Sequence, residues 1–274
     1  MVNSAAVSAG PRGFVESEGE QIYFESWGSG ETVVLSHGMG GNHAIWYQQV
    51  PVLAAHYRVV TWDQRGFGRS TDLTGNLGPE PSVVDLGRIL DHLEIDSAHI
   101  VGQSMGGWGS LGFALAHPAR TLSLVLADTI GGIFTATIRQ TFLDYGRLIA
   151  ASPPPDQLAL GLHPAVGAQL ADEDLAKSFL YSQIGGLATP PSPLVITELL
   201  TDTDHTEGLD LLDAPTLFIV GENDPIFPPA LIEQASALIP GSEMSVVAES
   251  GHSPYFERPD QWNDLVLRFL RRWA

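Results

Sequence analysis

His99-Ile100-Val101-Gly102-Gln103-Ser104-Met105-Gly106-Gly107 is the stretch whose reading decides the fold. A short apolar run at 99–101 meets Gly102-Gln103-Ser104-Met105-Gly106, and a helical pattern over 105–116 follows at once. A strand that reverses this abruptly into a helix holds the serine at a strained φ/ψ and lifts its hydroxyl clear of the backbone. Small residues two before and two after the serine let the chain pack on itself at the turn. Gly107 and Gly109 continue the pattern, so the helix can lie close to a sheet. The pentapeptide alone is a weak signal in a chain with 29 glycines. Its place between a strand and a helix gives it weight.

Outward from that stretch, the same buried-strand signature recurs. Residues 32–36 (T-V-V-L-S), 57–62 (Y-R-V-V-T-W), 122–127 (L-S-L-V-L-A) and 216–220 (T-L-F-I-V) are short, apolar and rich in β-branched residues. Such runs are strands covered on both faces. Residues 21–27 read as a further strand closed by Gly28-Ser29-Gly30, and 244–248 as the last one. Helical patterns fall around 46–55, 83–93, 231–238 and 261–273. Strands alternating with helices imply an α/β protein with a mostly parallel central sheet and helices on both faces. In such sheets chemistry collects at the carboxyl ends of the strands.

One interval breaks the rhythm. Across 131–208 no buried strand is legible; helical patterns near 134–150, 158–170 and 173–184 are interrupted by Ser152-Pro153-Pro154-Pro155 and by 189–193. The expected organisation is a flexible leader over 1–13, a core made of 14–130 and 209–274, and a helical lid over 131–208 that sits above the strand ends.

A serine hydroxyl is a poor nucleophile at neutral pH and needs a base within hydrogen-bond reach. Of nine histidines, His252 lies beyond the last strand, in the small-residue loop Glu249-Ser250-Gly251-His252-Ser253-Pro254. The base needs an acid that fixes its tautomer. Asp224, in Gly221-Glu222-Asn223-Asp224-Pro225, follows the strand at 216–220 and reaches the same edge; Asp128, after 122–127, is the rival acid. The glycine-rich turn His37-Gly38-Met39-Gly40-Gly41 can aim N–H groups at one point, so Met39 and Met105 are the expected oxyanion donors. His37 is expected to be structural. Gly38, His43, Trp46, Trp108 and Phe227 are candidate substrate contacts. Residues 63–70 read as a tight loop with Asp63 and Arg65 paired, and 201–208 as a solvated turn without the spacing of a calcium loop.

The bulk composition narrows the partners. The chain has 274 residues, 44% of them hydrophobic, and a net charge of -19 from 32 acidic against 13 basic residues, Lys177 being the one lysine. That field repels nucleic acid and anionic lipid, so neither nucleic acid nor membrane is an expected partner; a small-molecule substrate is. With no cysteine, disulfides, thiolate catalysis and zinc–thiolate sites are excluded. No apolar run reaches the roughly 18 residues of a membrane span, and no basic-then-apolar signal pattern opens the chain. A cytoplasmic location is the expectation; oligomeric state is not legible.

Taken together the chain resembles the α/β-hydrolase family over roughly residues 20–274. The pieces are H-G-M-G-G at 37–41, D-Q-R-G-F-G-R-S at 63–70, G-Q-S-M-G-G at 102–107, G-E-N-D at 221–224 and G-H-S at 251–253. S-M-G-G, the V-L-A-D-T strand end and a helical lid look like the branch with enol-lactone hydrolases, small-ester hydrolases and C–C bond hydrolases of ring-cleavage pathways. Serine at the elbow argues against the dehalogenase and epoxide-hydrolase members, which carry aspartate there. The C–C hydrolases typically have a glycine–proline oxyanion turn, from which H-G-M-G-G departs. The resemblance implies a lid inserted after the sixth core strand, a catalytic order Ser104, Asp224, His252 along the chain, and hydrolysis of an ester or lactone through an acyl-enzyme with no cofactor and no metal. Hydrolysis of a vinylogous diketone is the alternative, followed by a non-catalytic ligand-binding role.

Overall fold

Thr32–Ser36, the run with the plainest buried-strand signature, lies inside the sheet with all five residues buried (β3). Its neighbours are Arg58–Trp62 (β4) on one side and Ala98–Gln103 (β5) on the other, both parallel to it. Around them stand Ala9–Ser17 (β1), Glu20–Gly28 (β2), Thr121–Ala127 (β6), Thr216–Gly221 (β7) and Glu243–Val247 (β8). The eight strands run in the order β1-β2-β4-β3-β5-β6-β7-β8, parallel from β4 to β8. β2 is antiparallel to both β1 and β4. The chain proceeds from β3 to one side and returns to the other at β5. A crevice therefore opens beyond the carboxyl ends of β3 and β5, where such sheets bind their ligands.

The computed structural model describes residues 7–150, 165–187 and 191–273. Helices are Val50–Leu53 (α1), Pro79–His92 (α2), Met105–Ala116 (α3), Ala136–Ala150 (α4), Ala168–Glu173 (α5), Leu175–Gly185 (α6), Pro193–Asp202 (α7), Pro229–Ser236 (α8), Pro254–Glu257 (α9) and Pro259–Leu270 (α10). Alternate strand residues feed two cores. Val34, Val60, Ile100, Leu124 and Phe218 pack with Leu86 and Ile89 of α2, Leu111 of α3 and Ile232 of α8. Val33, Leu35, Val59, Val101 and Ile219 pack on the opposite face with Trp262, Val266 and Phe269 of α10. Each such side chain contributes about 1.5–3 kcal/mol by leaving water. This double burial is why the central strands read as unbroken apolar runs.

Two expectations are corrected. Residues 9–13 of the expected leader belong to β1, which pairs with β2 across a register shift between Ala9 and Arg12. Pro11 and Gly10 sit in that irregularity, and an edge strand tolerates both, which is why the sequence looked loop-like. The helix expected at 46–55 is a 3₁₀ turn at His43–Trp46 followed by the single-turn α1. Asn42 starts that turn by accepting the Ala44 N–H (3.0 Å), and Pro51 lacks the N–H a longer helix would use. The segment between β6 and β7 carries α4 to α7, and no strand among its described residues. Pro153 to Pro155 and most of the helical pattern at 158–170 lie outside the described residues; the described remainder of that pattern enters α5. Among the described residues no helix is long and apolar enough to cross a membrane.

Candidate active site

Ser104 stands between β5 and α3 with φ 49° and ψ −122°, a left-handed backbone that a residue with a side chain rarely adopts. Its N–H donates to the Ala127 carbonyl of β6 (2.9 Å). The glycines around it have no room for a side chain. A Cβ on Gly106 would lie 2.5 Å from the Ser36 carbonyl oxygen, and one on Gly102 would lie 2.6 Å from that of Gly106. Strand, turn and helix are thus compressed until the hydroxyl projects from the sheet edge.

His252 arrives from the loop between β8 and α9, and Asp224 from the loop after β7; both are buried. The His252 Nε2 lies 2.8 Å from Ser104 Oγ, and its Nδ1 lies 2.8 Å from Asp224 Oδ2. Asp224 Oδ1 accepts the N–H groups of Ile226 (2.7 Å) and Phe227 (3.1 Å), which fixes the carboxylate plane. A carboxylate can only accept, so Nδ1 carries the proton and Nε2 presents its lone pair to the serine hydroxyl. The three side chains therefore form one hydrogen-bonded line.

Asp128, the rival acid, follows β6 with φ 49° and accepts the Gly221 N–H on Oδ1 (2.9 Å). Burial, reinforced by the Asp224 charge, pushes its carboxyl well above the usual range. Asp128, Asp224 and His252 bring ligand-type atoms within 4.8 Å of one another. The 2.8 Å approach of Asp224 to His252 is a direct hydrogen bond and leaves no space for an ion between them.

The turn after β3 meets the serine from above. A Cβ on Gly38 would clash with Gln103 Oε1 and come within 3.0 Å of Ser104 Cβ, so the turn packs directly against the serine. Neither the Met39 nor the Met105 N–H donates to any other group among the described residues. His37 is structural, as expected: it is fully buried, Nδ1 pairs with the Gly38 carbonyl (2.8 Å), and Nε2 accepts the Gln64 N–H (3.1 Å). Burial lowers its pKa.

Phe227 packs its ring 5.8 Å from that of His252 and stacks on Phe142 of α4 at 5.7 Å. Trp108 completes this aromatic group, 6.0 Å from Phe227. His43 and Trp46, named above as substrate contacts, pack elsewhere. Trp46 is fully buried between Tyr255 (4.7 Å) and Trp262 (5.9 Å) in the second core. His43 turns outward beneath β2 and binds Asp63 (2.8 Å). Arg65 does not pair with Asp63 but makes a two-pronged bridge to Asp85 (2.8 Å to each oxygen) and a further one to Glu18. The 201–208 run is more than a solvated turn. His205 reaches the Trp108 carbonyl (3.1 Å), and Asp204 pairs with Arg139 (2.9 Å).

Two contributors were missed by sequence reasoning. Gln103, the residue before the serine, donates to the His252 carbonyl (3.0 Å). Glu257 accepts backbone N–H groups on both sides of His252. The one signal for the latter was an acid closing the otherwise apolar turn Pro254-Tyr255-Phe256-Glu257.

Fold and site together define a hydrolase of the α/β fold, and comparison with known proteins agrees. A sequence model of the alpha/beta hydrolase fold family matches residues 31–259, so the chain belongs to that family. It is 31% identical over 252 residues to a protein of Pantoea ananatis named carbamate hydrolase RutD, covering 89% of this chain and 90% of that one. It is 30% identical to a 2-hydroxy-6-oxononadienedioate/2-hydroxy-6-oxononatrienedioate hydrolase of Cupriavidus pinatubonensis, covering 91% and 90% of the two chains. A solved thermophilic esterase from Thermogutta terrifontis shares the fold with a TM-score of 0.80 at 24% identity, over 96% of this chain and 99% of that one.

Proposed function

We propose that this protein is a serine hydrolase of carboxylic esters or lactones that works through an acyl-enzyme. The observation that carries the reading is the unbroken line Asp224–His252–Ser104, 2.8 Å at each step, ending on a hydroxyl held at a strained turn. In this reading Ser104 Oγ attacks the substrate carbonyl as His252 Nε2 takes its proton. Asp224 stabilises the imidazolium, and the Met39 and Met105 N–H groups receive the oxyanion. His252 returns the proton to the leaving alkoxide, then activates water to release the acid. Each step uses groups of the chain and water alone. Losing one oxyanion donor would raise the barrier by about 2.7–4 kcal/mol.

Phe227 and Trp108 form an apolar wall beside the base, which suits a neutral, apolar acyl or alkyl group. In this reading the described part of 131–208 serves as the cap, since Phe134 and Phe142 join that wall. C–C hydrolysis of a vinylogous diketone acid is the second reading, favoured by the Cupriavidus relative. Its substrate carboxylate calls for a free cation. Lys177 donates to the Glu257 carbonyl, Arg139 is taken by Asp204, and Arg147 by Asp144. The ester reading therefore stands first.

The test is turnover of a p-nitrophenyl acyl ester by wild type and Ser104→Ala. The reading expects a loss on the order of 10⁴-fold or more. Equal rates would overturn it, and turnover of the diketone acid with negligible esterase activity would transfer the site to the second reading.

A further inference from the structure

Glu257 is a buried carboxylate with no part in the steps above, and within 4.0 Å it has no lysine or arginine partner among the described residues. Its charge is met instead by backbone. The Gly251 N–H lies 3.0 Å from both carboxylate oxygens, the Ser253 N–H 3.2 Å from Oε1, and the Gly167 N–H 2.9 Å from Oε2. Gly251 and Ser253 flank His252. Gly167 belongs to the segment between β6 and β7, at the start of α5.

We infer that Glu257 is a positioning residue for His252, gathering the N–H groups on either side of the imidazole-bearing residue and tying them to Gly167 of the proposed cap. The argument rests on the reading of Ser104 and His252 as nucleophile and base. An ionised carboxylate accepts about four hydrogen bonds and donates none, which matches this ring of N–H groups and no neutral side chain of the same size. Burial pushes the Glu257 carboxyl up, and the N–H groups of Gly251, Gly167 and Ser253 pull against that shift.

The packing leaves little slack. A Cβ on Gly251 would lie 2.5 Å from the Gly167 nitrogen, and one on Gly167 would lie 3.0 Å from Glu257 Oε2. Gln103 holds the His252 carbonyl (3.0 Å), so backbone is fixed before, at and after the base. Displacing a catalytic group by about 1 Å costs on the order of 10²-fold in rate. That is the scale at which loss of this carboxylate acts.

The experiment compares wild type, Glu257→Gln, Glu257→Asp and Ser104→Ala on a p-nitrophenyl ester, with thermal midpoints for each. Glu257→Gln keeps the shape but turns an NH₂ toward N–H groups. The expected result is kcat down about 10²-fold with KM changed less than about threefold, measured well below the melting temperature. Glu257→Asp keeps the charge on a shorter arm and is expected to recover part of kcat. A Glu257→Gln protein with wild-type kcat beside a dead Ser104→Ala overturns this inference alone; an active Ser104→Ala overturns the reading beneath it. Should Glu257→Gln fail to fold, Glu257→Asp decides, and full wild-type kcat there overturns the inference.

Discussion

Two histidine–aspartate pairs in this molecule look alike at one end and differ at the other. His252 meets Asp224, and His43 meets Asp63, each through Nδ1 at 2.8 Å to a fully buried carboxylate. The remaining nitrogens have different neighbours. His252 Nε2 faces a serine hydroxyl at 2.8 Å on a strained turn, whereas His43 Nε2 faces the Glu25 carboxylate at 3.8 Å, with the Tyr23 ring 4.9 Å away. A histidine held by an aspartate is thus a structural part that the fold uses twice. What makes one of them a candidate base is the hydroxyl on its far side.

Asp63 shows what the other pair does. It accepts the His43 N–H (2.6 Å) and the Arg69 N–H (2.8 Å) besides the imidazole. Burial raises its carboxyl, but the bonds to His43 and the nearby His37 outweigh that and leave it below the usual range. It fastens the turn after β4 to the 3₁₀ turn that follows β3.

The comparison can be broken most severely at the histidines. His252→Ala is expected to lower kcat/KM for a p-nitrophenyl ester on the order of 10⁴-fold, while His43→Ala stays within about threefold. Comparable losses in the two would erase the distinction. The aspartates sharpen it in a second observable. Asp63→Asn should cost about 3 kcal/mol of stability in urea titration, because it sets an amide against buried donors. Asp224→Asn should instead be read chiefly in the rate. A smaller effect separates buried carboxylates in general from those paired with histidine. Glu20 has no histidine; burial raises its pKa, but bonds from Thr71, Leu73 and Thr74 bring it down to about 2. A lowered folded-state pKa contributes stability above the unfolded value of 4.5 that is lost as pH falls toward about 2. The unfolding free energy read from urea titration should therefore drop by about 2 kcal/mol over that window, less than the full shift because solvent screens part of it, and Glu20→Gln should flatten the slope.

How much of this could be read from residues alone follows the physics of each region. The central strands announced themselves because both faces are buried, and the elbow because Gly102 and Gly106 have no space for a Cβ. Ser104 and Asp224 lie just past such strands and His252 in the loop after the edge strand β8, so topology brought all three to one edge. β1 escaped because an edge strand can carry Pro11 and Gly10 without penalty. His43 and Trp46 were misplaced because sequence proximity to the oxyanion turn does not fix side-chain direction. The 3₁₀ turn sends one into the second core and the other out toward β2. Glu257 left only the faint signal of an acid in an apolar turn, because its partners are backbone N–H groups, which carry no residue-type signature of their own.

The most direct test of the serine's role is intact-protein mass spectrometry after exposure to a fluorophosphonate, followed by peptide mapping. The account predicts one adduct, on Ser104, formed by wild type, absent in Ser104→Ala and strongly slowed in His252→Ala. Wild type left unmodified, or a single adduct mapped to any other serine, would contradict it.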